Sequence, residues 1–134
     1  MSLSLWLPLL LGAVGPAVEP CQPSAATLLN SSYCTVHGSQ VQLHTQWRLP
    51  TSAATAPLQL RVAGVLAFPL DGCGNHSTAS PVPISVSGLP CPVASPGTYS
   101  LDLGVSLPPF VPHGNYRIQI DGSPLLCAAV QVTL

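Results

Sequence analysis

Apolar and polar residues alternate along much of this chain, and the alternation marks its strands. Val41, Leu43, Thr45 and Trp47 interleave with Gln42, His44, Gln46 and Arg48, which predicts a strand with one wet face and His44 solvated upon it. LQLRVAGVLAF puts Leu58, Leu60 and Val62 on one parity and Arg61 on the other, with Gly64 interrupting as a bulge or close approach. Tyr99, Leu101, Leu103 and Val105 form one strand face, and Tyr116, Ile118 and Ile120 form the face of a strand expected to pair with it. Leu125 to Leu134 is apolar on both parities at several points, which predicts a central or doubly covered strand.

Shorter pieces fill the gaps. Ala25 to Leu29 reads as a strand or a turn of helix, Tyr33 to Val36 as extended, Gly38-Ser39 as a turn, and Pro50 to Pro57 as a loop. Val82, Ile84 and Val86 alternate, but Pro81 and Pro83 each remove a ladder donor, so an edge strand or flap is expected there. Between Leu107 and Gly114 three prolines bracket Phe110 and Val111, a loop that either dips toward lipid or folds inward as a plug. No amphipathic helix of ten residues is visible. Seven or so short strands between Gly and Pro turns predict an all-β chain, a β-sandwich of two antiparallel sheets.

Composition adds the compartment. Residues 1–17 read as a signal peptide, because LWLPLLLGAV precedes small residues at Gly15 and Ala17, and Pro16, Glu19 and Pro20 end the run short of a membrane span. Residues 18–134 then form one domain of roughly 117 residues, able to bury about two-thirds of its unfolded surface. Five cysteines on such a route read as disulfides with one left over, and Asn30-Ser31-Ser32 and Asn75-His76-Ser77 are glycosylation sequons expected on the surface.

Charge removes several functions. Arg48, Arg61 and Arg117 are the only cations besides histidine, and there is no lysine, so neither nucleic acid nor a polybasic membrane anchor is expected. No CxxC or HxxxH spacing suggests a metal, and no cofactor is implied. Glu19, Asp71, Asp102 and Asp121 are scattered, no GxSxG elbow occurs, and Cys34 with His37 matches no nucleophile–base signature. The chain reads as a binding protein, not an enzyme. Alternation alone does not separate a dry core from a ligand cavity.

Four motifs in order go further. GLPC at Gly88 to Cys91, GTYSL at Gly97 to Leu101 and GNYRI at Gly114 to Ile118, with Cys127 in the last strand, resemble the ganglioside-activator branch of the MD-2-related lipid-recognition (ML) family. VLAFPLDGC at Val65 to Cys73 resembles a strand end in the family's Niemann-Pick type C cholesterol-carrier branch, and the similarity runs from about Leu58 to Leu134. The resemblance implies an immunoglobulin-like sandwich splayed to admit a lipid, secreted or in the lysosomal lumen. It also implies that Cys21 pairs with Cys127 and Cys73 with Cys91.

On that resemblance a sterol, glycolipid or phospholipid tail is held between the sheets, with transient membrane contact and delivery to a lipid hydrolase or receptor. Phe68 and Val105 match cavity positions of the cholesterol-carrier branch, and strand parity adds Trp47, Leu60, Val62, Tyr99, Leu101, Phe110, Tyr116 and Ile118. The departures are specific. The insertion before GLPC is short, Val93 stands where a second cysteine is expected, and Cys34 lacks the partner of a local disulfide. The alternative function is an accessory subunit of a leucine-rich-repeat receptor, with Cys34 as an intermolecular link.

Overall fold

Each alternating segment becomes a strand with its apolar parity turned inward, and the strands assemble into two packed antiparallel sheets. The computed structural model describes residues 16–64, 66–79, 82–94, 96–108 and 111–134. Residues 1–15 of the expected signal peptide, together with Pro81 and Phe110, lie outside the described residues.

One sheet has the order β1 (Val18–Pro20), β11 (Leu126–Thr133), β10 (Asn115–Gly122), β5 (Pro57–Val62), β6 (Leu66–Asp71). The other runs β2 (Thr27–Leu28), β4 (Gln40–Leu49), β9 (Gly97–Ser106), β8 (Ile84–Ser87), β7 (Asn75–Thr78). In that second sheet β3 (Tyr33–His37) pairs with β4 on the same side as β2. Both expected pieces of the 25–36 region are therefore strands, and Gly38-Ser39 makes the β3–β4 turn, with Gly38 at φ 61°. β11 lies between β1 and β10, with every side chain from Leu126 to Val130 buried, as its double-parity apolarity requires.

Three local readings change. LQLRVAGVLAF is a hairpin, because Ala63 and Gly64 both take positive φ (57° and 72°) and fold β6 back upon β5, so Gly64 serves a turn and not a bulge. β8 is flanked by β9 and β7 and is no edge. Pro83 precedes the strand and so removes no donor from it, while its carbonyl accepts the Ser106 N–H at 3.0 Å. β9 and β10 do not pair: β9 lies between β4 and β8, β10 between β5 and β11, and Leu107 to Gly114 crosses from one sheet to the other.

Cysteines and glycines fix the margins. Cys21 and Cys127 form a disulfide with a Cα separation of 5.0 Å, tying the end of β1 to β11. Cys73 and Cys91, with Cα atoms 5.5 Å apart, close the loop that carries β7 and β8. Within that loop Gly88 of GLPC has no room for a side chain, since a Cβ there would strike the carbonyls of Gly72 and Gly74. The Gly88 and Leu89 N–H groups donate to those same carbonyls, each at 2.8 Å.

Candidate functional site

The sheets are closed upon each other through most of their length and part at one end. Trp47, Leu60, Leu101 and Ile118, all expected as cavity wall, are at most 1% exposed and sit in the closed core. Trp47 is fixed there by polar contacts: its Nε1–H donates to Thr45 Oγ1 at 2.8 Å, and the Thr45 hydroxyl donates to the Leu101 carbonyl at 2.6 Å. Thr45 is thus a buried polar side chain with its hydrogen bonds made, as burial requires.

Tyr99 lies at the closed end as well. Its ring covers Gly97, and its hydroxyl donates to the Ala94 carbonyl at 2.7 Å, a tyrosine corner of the kind that pins sandwich strands. Eight residues of strand separate it from Leu107, so it stands ~26 Å from the other end of β9.

At that other end is a cavity of about 480 Å³. The β5–β6 hairpin gives it Val62, Ala63, Leu66 and Phe68; the six-stranded sheet side gives Val82 and Leu107; the sheet-crossing segment gives Pro108, Val111 and Pro112; β10 gives Tyr116. Among the described residues every one that lines the cavity is apolar except for the Tyr116 hydroxyl, and that group is already engaged, donating to the Pro112 carbonyl at 2.6 Å. Leu66, 52% exposed, stands at the rim. The described lining residues therefore supply no acid, base or nucleophile; what they offer is desolvation of an apolar guest.

Of the residues expected from the sequence, Val62, Phe68 and Tyr116 meet in this cavity. Val105 and Ile118 are buried beside it, two residues along their strands from Leu107 and Tyr116, without lining it. The residues not anticipated are Ala63, Leu66, Val82, Leu107, Pro108 and Pro112. A turn reading of Ala63-Gly64 is the signal that would have found Leu66, because a reversal there brings Leu66 opposite Val62. Val111 is half-buried and packs inward on the core, the plug alternative for that residue. Asn30 and Asn75 are both exposed.

Two polar features lie elsewhere. His44 is not free on its wet face: its Nδ1 is 2.5 Å from Asp102 Oδ1, and its ring lies 4.7 Å from that of Tyr33. Burial pushes the Asp102 carboxyl above its usual range against the opposing pull of His44. Cys34 is fully buried on the inward face of β3, and burial pushes its thiol up to about 11. Without access or thiolate character it is unsuited to cross-link a partner from the folded state. Among the described residues no group of three His, Cys, Asp or Glu could hold a metal ion.

The chain matches no protein-family model and no curated protein. The site's chemistry therefore rests on its own geometry, and its compartment on the two disulfides, which are compatible with an extracellular or lumenal protein.

Proposed function

We propose that this is a non-enzymatic lipid-binding protein of the ML type, secreted or lysosomal, which takes the apolar end of a sterol, glycolipid or phospholipid into the open end of its sandwich. One observation carries the reading: a cavity of about 480 Å³ whose surface is aliphatic and aromatic, with an apolar rim at Leu66. That volume falls within the ~300–1,000 Å³ typical of small-molecule sites. Each 100 Å² of acyl or sterol surface removed from water contributes about 2.5 kcal/mol.

The absence of lysine from the chain and of any charged residue among the described lining residues favours a tail held by shape over a headgroup held by charge. Such a lipid enters from a membrane, and Leu66 at the rim supplies the transient apolar contact. Release to a hydrolase or receptor is the natural sequel.

Native mass spectrometry of the secreted protein before and after organic extraction tests the reading. A lipid-sized adduct lost on extraction is expected, and Val62→Trp, which fills the cavity, is expected to abolish it. Protein that carries no adduct and takes up none of a sterol, a glycolipid or a phospholipid offered in vesicles sinks the proposal.

A further inference from the structure

The two sheets guard their edges differently. An edge strand leaves a row of unpaired N–H and C=O groups that can template pairing with another chain, and proteins blunt it with charge, proline or cover. The five-stranded sheet ends in β1, sequence VEP, and β6, sequence LAFPLD; both contain a proline and an acid. The six-stranded sheet ends in β2 and β3 on one side and β7 on the other, sequences TL, YCTVH and NHST. Not one of those strands contains Asp, Glu, Arg, Lys or Pro.

Each of these undefended edges carries one sequon. Asn30 lies in the short link between β2 and β3, and Asn75 opens β7; both are exposed. Cross-strand register makes the arrangement sharper. Asn75 is opposite Ser87, Ser87 opposite Asp102, Asp102 opposite His44, and His44 opposite Tyr33, one row running across the sheet to a point three residues from Asn30. At ~4.8 Å per strand the row is ~19 Å long.

We propose that N-linked glycans on Asn30 and Asn75 are the edge caps of the six-stranded sheet, preventing its β2/β3 and β7 edges from pairing with a second copy of this chain. A glycan is bulky and solvated, and it does for these edges what Pro69, Asp71, Glu19 and Pro20 do for the other sheet. The proposal rests on passage through the secretory lumen and not on what fills the cavity.

The full chain, secreted from cells held to high-mannose glycans, is trimmed after folding with endoglycosidase H, which leaves one N-acetylglucosamine and an unaltered asparagine. Intact mass should show two glycans, one lost in Asn30→Gln and one in Asn75→Gln. Trimming should keep the circular dichroism spectrum and move the protein from monomer to dimer and larger species by light scattering. Asn75→Lys, which lacks that glycan but charges the edge, should stay monomeric where Asn75→Gln associates.

An unmodified asparagine at either sequon overturns the proposal. So does a trimmed protein that remains monomeric, or an Asn75→Lys variant that associates as readily as Asn75→Gln. Lipid adducts read on the same samples separate this outcome from that of the cavity: glycans present with no adduct sink only the lipid reading.

Discussion

Gly97-Thr98-Tyr99 and Gly114-Asn115-Tyr116 are the same device at opposite ends of the sandwich. In both, the tyrosine hydroxyl donates to a carbonyl four or five residues upstream, Ala94 for Tyr99 and Pro112 for Tyr116. At the closed end Tyr99 pairs across from Trp47, which is fully buried, and the space between the sheets is filled. At the open end Tyr116 is joined by Val62, Phe68, Leu107 and Val111, and a cavity remains. The motif sets a backbone corner at both ends; what lies opposite differs, the buried Trp47 indole at one end and an apolar cavity at the other.

Breaking the closed end has the largest expected effect. Trp47→Ala removes the largest buried side chain and the hydrogen bond its indole donates to Thr45, and should cost about 3–5 kcal/mol, read as a fall in the urea midpoint. Leu66→Asp at the open end inverts that result: at an exposed position stability should change by no more than about 0.5 kcal/mol, while uptake of a fluorescent fatty acid or sterol drops severely. A Leu66 variant with unchanged uptake would detach the rim from binding.

The two corners offer a finer comparison. Tyr99→Phe and Tyr116→Phe each delete one hydrogen bond, about 1 kcal/mol apiece by thermal or urea unfolding. Only Tyr116→Phe should change the rate at which a bound apolar probe exchanges, since only that bond ties down a cavity wall.

The smallest effects compare carboxylates on the two outer faces. The Ser123 hydroxyl, with Arg61, holds Asp121 below the usual range, so its contribution is present above the unfolded value of about 3.9 and is lost as pH falls through the folded one. Asp102 is raised by burial, so its contribution runs the other way: full below about 3.9 and lost as pH rises through its folded value. Between pH 2 and 6, Asp121→Asn should flatten the acid loss of stability, and Asp102→Asn should steepen it.

Much of this arrangement is legible in the sequence. Alternation told which side chains of 41–47, 58–62 and 99–105 turn inward, because period two is a property of the strand itself. It could not tell which strands neighbour one another. β9 and β10 have equally good inward faces, yet they join different sheets, a choice that period two does not encode. For the same reason Trp47, Leu101 and Ile118 resembled cavity wall: an inward side chain has the same signature whether it meets protein or an open space. Ala63-Gly64 hid a reversal inside an apolar run, and with it the rim residue Leu66.

The contact between Thr45 and Leu101 has one more consequence. Alternation forbids β4 from sliding by one residue along β9, because that would turn every apolar side chain outward. It has no objection to a slide of two. The Trp47 indole, which Thr45 holds, does object: after a slide of two the threonine hydroxyl would meet an equivalent backbone carbonyl, but the largest buried side chain of the core would leave the space packed around it. One tryptophan, aimed by one threonine, thereby acts as a detent, selecting a single alignment from a series that alternation alone leaves degenerate.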